Sequence, residues 1–88
     1  MIRSVVIIGS GNLAEALARA VAASPLELRQ VFGRNRDRTA AVAALAGTEG
    51  ASDPARLAAA DIYLIAVSDA AVAEVAAALP IDPRAVVA

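Results

Sequence analysis

Two runs of apolar residues dominate the hydrophobic pattern of the chain, at residues 2–8 and 62–67. Both are rich in aliphatic residues, and apart from Arg3 and Ser4 early in the first run neither contains a polar position. Continuous apolar runs of this length are typical of parallel strands that are buried on both faces. The pattern therefore predicts two central strands of a parallel sheet, and shorter runs predict further strands at residues 28–32, 48–51 and 85–88.

Between the predicted strands at residues 2–8, 28–32 and 48–51, the apolar residues have helical periodicity. Apolar residues spaced three and four apart predict a first helix that runs to about Ala23. A second helix is expected to begin at a cap formed by Asn35 or Asp37 and to end near Gly47. The expected apolar faces are Leu13, Leu17, Ala20 and Val21 in the first helix and Val42, Leu45 and Ala46 in the second.

Two more helix starts lie further along the chain. Asp53 followed by Pro54 predicts the N-cap and first residue of a short helix through Ala60. Ser68 and Asp69 follow the second long apolar run and predict the cap of another helix. The apolar face expected for that last helix is Val72, Val75, Ala76 and Leu79.

Strands that alternate with short helices form βαβ units, which close with right-handed crossovers into a parallel sheet covered by helices. The sequence therefore predicts an α/β fold with a doubly wound parallel sheet, the Rossmann dinucleotide-binding fold, with strand order 3-2-1-4-5. A chain of 88 residues has room for one domain. Residues 1–88 are accordingly expected to form a single dinucleotide-binding domain.

A glycine-rich turn follows the first predicted strand, and its sequence is Gly9-Ser10-Gly11-Asn12-Leu13-Ala14. This segment fits the pattern G-x-G-x-x-A in the strand-to-helix context that gives the pattern its meaning. Gly9 allows a tight turn, Gly11 lets a pyrophosphate approach the backbone, and Ala14 lets the helix pack close to the sheet. The turn is therefore expected to bind a dinucleotide, and a glycine-rich turn that binds nothing is the alternative.

The end of the second strand indicates which dinucleotide is bound. An NAD site has an acidic residue about 20 residues beyond the glycines, whereas here Arg34, Asn35 and Arg36 occupy that place, with Arg38 close behind. An arginine fork can bind a 2′-phosphate through charge-assisted hydrogen bonds. NADP is therefore the predicted cofactor, and the alternative is that these arginines are solvated, one of them paired with Asp37.

The end of the fourth strand faces the glycine turn across the point where the strand order reverses. Ligands of open α/β sheets bind in this crevice, so Val67 and Ser68 are candidate cofactor contacts. Ser68 or Asp69 acting only as a helix cap is an equal alternative. Tyr63 lies mid-strand and is expected in the core.

The composition excludes several kinds of chemistry. The chain has no cysteine, no histidine and no lysine, which leaves no metal-binding, thiolate, imidazole or amine chemistry of those types. A net charge of −1 and two aromatic residues argue against a nucleic-acid partner. The apolar runs are too short for a signal peptide or a membrane span, so a cytoplasmic protein is expected.

The segment Gly9–Leu17 resembles the cofactor turn of pyrroline-5-carboxylate reductases, G-x-G-N-M-A-x-A, and residues 33–36 are similar to their NADP-specifying element. The likeness extends over the whole chain and to deazaflavin-dependent NADP oxidoreductases. It implies cofactor contacts from residues 9–13, Arg34 and Asn35. Ser68 and Asp69 stand where the proline-pathway enzymes have K-P, which favours the broader superfamily and leaves the substrate open.

The resemblance implies that the chain is the NADP(H)-binding part of an oxidoreductase. In such relatives a helical C-terminal domain holds the substrate and makes homodimer contacts, so residues 1–88 are expected to be a fragment of a longer two-domain protein. No catalytic residue can be assigned on this basis. A non-catalytic nucleotide-sensing module is the alternative, because the same fold and turn would serve it.

Overall fold

A computed structural model describes residues 3–66 and, for their backbone, residues 86–87. The chain forms a five-stranded parallel sheet in the order β3-β2-β1-β4-β5, which confirms the predicted topology. The helix expected after Ser68 lies outside the described residues. The strands are β1 (Ser4–Ile8), β2 (Glu27–Phe32), β3 (Glu49–Ala51), β4 (Ile62–Ile65) and β5 (Val86–Val87).

Two α-helices connect the first three strands, α1 (Asn12–Ala22) and α2 (Arg36–Leu45). Asn35 caps α2, because its side-chain oxygen accepts a hydrogen bond from the amide of Arg38 at 3.0 Å. After α2, Gly47 has a φ of +70°, the left-handed conformation that ends many helices. The expected boundaries of the second helix are therefore confirmed.

Strand β1 lies at the centre of the core, and all five of its residues are buried. Its alternating side chains contribute to a separate apolar cluster on each face of the sheet. One cluster is covered by α1 and α2, and the other includes Tyr63, which is 1% exposed, as expected for a core residue. Its hydroxyl donates a hydrogen bond to the carbonyl of Ala58 at 2.8 Å.

The apolar faces expected for the two helices are partly wrong. Leu13 and Leu45 are 60% and 53% exposed. In α1 the buried positions are Ala14, Ala18 and Val21, which have the same i, i+4, i+7 spacing as the expected face. Because α1 is rich in alanine, two of its faces fit the same apolar spacing. The face with the smaller side chains packs against the sheet, because it allows the closest approach.

The helix expected from Pro54 to Ala60 is shorter than predicted. A 3-10 helix covers only Pro54–Arg56, although Asp53 does cap it through the amide of Ala55 at 3.0 Å. Buried Gln30 donates to the carbonyl of Arg56 and accepts from the amide of Ala58, each at 2.9 Å. These backbone groups bond to a side chain of β2, which favours an extended path after Arg56.

Candidate cofactor site

The glycine turn and the arginine segment meet at the carboxyl edge of the sheet. Ile8 of β1 lies opposite Phe32 of β2, and Phe32 lies opposite Ala51 of β3. Beyond them, Gly9 donates its amide hydrogen to the Phe32 carbonyl at 2.7 Å, and Gly33 donates to the Ala51 carbonyl at 3.0 Å. The two segments expected to bind a cofactor therefore leave neighbouring strands side by side.

Gly9 is required by the fold itself. Its φ of +135° lies in a region that residues with a side chain rarely adopt. A Cβ at this position would also collide with the backbone carbonyl of Ala66, at the end of β4. The tight turn out of β1 thus depends on glycine for both conformation and space.

Gly11 is not required by the fold. Its φ of −83° and ψ of −167° are open to any residue, and a Cβ there would meet no atom of the described residues within 4 Å. The residue is exposed and stands at the N-cap of α1. A Cβ would project into the open space beside the helix start, where the expected pyrophosphate would lie.

The amino end of α1 has no side-chain cap, in contrast to Asn35 before α2 and Asp53 before the 3-10 helix. The amide of Glu15 bonds to the carbonyl of Gly11 at 3.0 Å, and the amides that precede it in the first turn have no acceptor within the helix. Such amides, together with the positive end of the helix dipole, can bind an anion.

Gly33 allows the glycine turn and the arginine segment to pack closely together. A Cβ at Gly33 would lie 2.5 Å from Oγ1 of Thr39 and 3.3 Å from Cβ of Ser10. Thr39 is fully buried in α2, and its hydroxyl has no hydrogen-bond partner among the described residues. The side chain of Ser10 therefore packs directly against the end of β2.

The arginine segment is exposed beside the glycine turn. Arg34, Asn35 and Arg36 all have exposed side chains, and Asn35 also caps α2. Arg34 and Arg36 place positive charge at the start of α2, where the helix dipole disfavours it. An anionic partner at this edge would offset that repulsion.

Arg38 has a role that the sequence did not reveal. Its Nε donates a hydrogen bond to the carbonyl oxygen of Ser10 at 2.8 Å. Its Nη2 lies 3.6 Å from Oε1 of Glu15, whose other carboxylate oxygen is 3.8 Å from Nε of Arg19. The two contacts of Arg38 join α2 to the glycine turn and to α1 across residues far apart in sequence, so spacing along the chain contains no signal for them.

Val67 and Ser68, the two candidate contacts from the far side of the crevice, lie outside the described residues. Ala66, just before them, is buried, and its amide donates to the carbonyl of Ile8 at 2.7 Å. The described part of the chain contains no cluster of three potential metal ligands. It also contains no helix with the length and hydropathy needed to cross a membrane.

Comparison with known proteins gives the same fold and cofactor. The sequence profile of a family described as coenzyme F420-dependent NADP oxidoreductases matches residues 4–87. A search of curated proteins found no match.

Solved structures extend the comparison. A protein from Bacteroides fragilis assigned as an NADP oxidoreductase is 27% identical with a TM-score of 0.86 over 98% of this chain and 35% of its own. UDP-N-acetylglucosamine 3-dehydrogenase from Acidithiobacillus ferrooxidans is 32% identical with a TM-score of 0.73 over 88% of this chain and 27% of its own. A myo-inositol dehydrogenase from Corynebacterium glutamicum, 18% identical with a TM-score of 0.73 over 97% of this chain and 29% of its own, shares the fold.

The chain thus spans about a third of the length of the solved structures that it matches. The family profile matches nearly all of its residues. The order of the strands and the glycine turn before the uncapped helix α1 agree with that match. The chain belongs to the family of coenzyme F420-dependent NADP oxidoreductases, and its fold is an NADP-binding Rossmann domain.

Proposed function

We propose that the turn of residues 9–13 holds the pyrophosphate of NADP(H). The observation that carries this proposal is that the fold does not require glycine at position 11. The backbone conformation there is open to any residue, and a Cβ would meet no atom of the described residues. The uncapped amides at the start of α1 supply hydrogen-bond donors at the same place. Ser10 packs against Gly33, so the pyrophosphate turn also adjoins the segment that we assign to the ribose.

The 2′-phosphate is assigned to Arg34, with Arg36 and the backbone around Asn35 beside it. Both arginines are exposed at the carboxyl edge of β2, where an NAD-binding domain has an acidic residue. A guanidinium can donate two parallel hydrogen bonds to a phosphate, whereas a carboxylate would repel it. We assign Val67 and Ser68 to the opposite side of the crevice, on the basis of their position after β4 alone.

The proposed activity is that of the cofactor-binding part of an oxidoreductase. Bound NADP(H) supplies a hydride donor or acceptor at its nicotinamide, and this chain binds and orients it. Because residues 1–88 match about a third of the neighbouring structures, we further propose that the substrate and the contacts of a homodimer belong to other parts of a longer protein. The cytoplasmic location expected from the sequence stays a prediction.

The cofactor assignment is tested by substituting Arg34. Arg34→Gln is expected to weaken NADPH binding by roughly 10- to 100-fold, the loss that follows from removing charge-assisted hydrogen bonds, and to leave NADH binding nearly unchanged. Arg34→Asp is expected to weaken NADPH binding further, because the carboxylate repels the phosphate. Isothermal titration calorimetry of both dinucleotides measures the two affinities.

Arg29→Gln is the matched control. Arg29 is an exposed arginine within β2, the strand that precedes Arg34, and it lies at the register shift between β1 and β2, away from the carboxyl edge. Its substitution removes the same charge and is expected to leave both affinities unchanged. Equal binding of NADPH and NADH by the unsubstituted chain, unaltered by Arg34→Asp, would refute the assignment of the 2′-phosphate to Arg34.

A further inference from the structure

Arg38 joins the start of α2 to the turn before α1. Its own amide is bonded to the Asn35 side chain at 3.0 Å, so its backbone is fixed at the helix start. From there its side chain spans to the Ser10 carbonyl, which accepts from Nε at 2.8 Å. The end of the guanidinium lies 3.6 Å from the carboxylate of Glu15 in the first turn of α1. A single side chain therefore contacts both the turn and the helix that follows it.

The bond to Ser10 has a consequence for the next amide. The peptide group between Ser10 and Gly11 is planar and trans, so its C=O and N–H point in opposite directions. Fixing the Ser10 oxygen toward Arg38 directs the Gly11 N–H away from α2. Gly11 contributes no side chain that could hold this peptide group, and within the part of the chain that the structure describes no atom lies within 4 Å of its Cβ position.

Glu15 fixes the guanidinium from the other side. Its carboxylate lies between Arg38 and Arg19, at 3.6 and 3.8 Å from their nitrogens. The side chains of Arg38 and Glu15 are 38% and 31% exposed, so the pair is partly shielded from solvent. With Nε donating to the turn and Nη2 directed at Glu15, the guanidinium is engaged by the protein itself.

We propose that Arg38 is a positioning residue that orients the Ser10–Gly11 peptide group so that the Gly11 N–H faces the pyrophosphate. The inference rests on the proposed NADP(H) site and gives two of its arginines different roles. Arg34 selects the 2′-phosphate, whereas Arg38 acts on the part of the site that NADP(H) and NAD(H) share. Loss of Arg38 therefore weakens binding of both dinucleotides and leaves the preference between them unchanged.

The test compares Arg38→Met and Arg38→Lys with Arg34→Gln. Arg38→Met keeps a long apolar stem and removes both contacts; Arg38→Lys keeps the charge but lacks the Nε–H that bonds to Ser10. Titration by cofactor fluorescence is expected to show that both Arg38 variants bind NADPH and NADH roughly tenfold more weakly, with the ratio of the two affinities unchanged. Arg34→Gln is expected to change that ratio.

Two readouts separate positioning from general structural damage. The melting temperature of Arg38→Lys is expected to stay within a few degrees of the unsubstituted chain. The amide ¹H and ¹⁵N resonances of Gly11 are expected to move in the free protein, before any cofactor is added. If Arg38→Met does not fold, Glu15→Gln removes the carboxylate contact alone and is expected to weaken both dinucleotides by a smaller, equal factor.

The possible failures are distinguishable. Loss of NADPH binding alone in Arg38→Met would place Arg38 on the 2′-phosphate and overturn the positioning role. Unchanged binding of both dinucleotides in both Arg38 variants would overturn it as well. Absence of any dinucleotide binding by the unsubstituted chain would instead refute the proposed function on which the inference rests.

Discussion

Gly9 and Gly11 stand two residues apart, and the fold requires glycine only at the first of them. Gly9 has a φ of +135°, and a Cβ there would collide with Ala66. Gly11 has an ordinary backbone conformation and open space around its Cβ position. At the scale of single residues, the fold explains the first glycine, and the pyrophosphate site that we propose would explain the second.

The same substitution at both positions separates these reasons. Gly9→Ser is expected to lower the free energy of unfolding by at least about 1 to 3 kcal/mol, because the conformation is strained for a residue with a Cβ. Gly11→Ser is expected to keep or raise stability by a few tenths of a kcal/mol, since serine caps a helix at least as well as glycine. Urea denaturation of the two variants measures both effects.

The effect of Gly11→Ser on NADPH binding is expected to be opposite to its effect on stability. The Gly11→Ser side chain occupies the space of the pyrophosphate and accepts hydrogen bonds from the amides that would bind it. We therefore expect a stable protein with NADPH affinity reduced roughly tenfold or more. Full NADPH affinity in this variant would contradict the assignment of the turn.

Single residues also show where sequence reasoning succeeds and where it fails. Asn35 and Asp53 were predictable as caps because a cap is a local contact between residues two or three apart. Arg38 was assigned no more than a share in the 2′-phosphate site, because its contacts with Ser10 and Glu15 depend on how two helices pack. The spacing of residues along the chain does not predict contacts of that kind.

At the scale of elements, a carboxylate joins the amino ends of β1 and β4. Oδ2 of Asp61, just before β4, accepts hydrogen bonds from the amides of Arg3 and Ser4 at 2.9 and 3.1 Å and from the Ser4 hydroxyl at 3.3 Å. These bonds, the Arg3 amide first and the Ser4 amide next, hold the pKa of Asp61 below its ordinary value of 3.8. They lie at the sheet edge opposite the cofactor site.

The lowered pKa of Asp61 predicts how stability depends on pH. Because the folded state holds this proton more weakly than the unfolded state, the carboxylate stabilises the fold above pH 3.8 and loses that effect as the pH falls below it. Asp61→Asn is therefore expected to melt at a lower temperature than the unsubstituted chain at pH 7. The difference should shrink near pH 3.

Thermal unfolding followed by circular dichroism at both pH values makes this comparison. Asp53→Asn offers a control, because it removes another carboxylate and asparagine caps a helix as well as aspartate. A gap between Asp61→Asn and the unsubstituted chain that is the same at pH 7 and pH 3 would contradict the role of the charge.

Elements with an unambiguous pattern were predictable, and those with an ambiguous one were not. The buried run of β1 and the switch from strand to helix at Gly9 fix the first βα unit. The face of α1 was not fixed, because alanines at many positions leave two faces with the same spacing. The end of the 3-10 helix depends on Gln30, a side chain from another strand.

At the scale of the whole molecule, the strand order follows from general rules. Alternating strands and helices with right-handed crossovers allow few arrangements, and the glycine turn after β1 selects the one with the switch point beside that strand. The sheet order β3-β2-β1-β4-β5 agrees with this reasoning. The same order places Gly9, Gly33 and Ala66 in one row at the carboxyl edge.

The cofactor could thus be predicted from the sequence, and the reaction partner could not. In the function that we propose, cofactor recognition depends on a local turn and on charge at the end of one strand, both within this chain. No residue of this chain is assigned to a substrate, and the solved structures that share this fold are about three times as long.

The central claim is that NADPH binds across the carboxyl edge of the sheet, on the glycine turn and the arginine segment. A titration of the ¹⁵N-labelled chain with NADPH, followed by ¹H–¹⁵N NMR spectra, tests it most directly. We predict that the largest shifts fall on the amides of Gly11, Asn12, Arg34 and Asn35, and that the amide of Asp61 at the opposite edge stays unmoved. Shifts centred on the Asp61 edge, or no shifts at millimolar NADPH, would contradict the account.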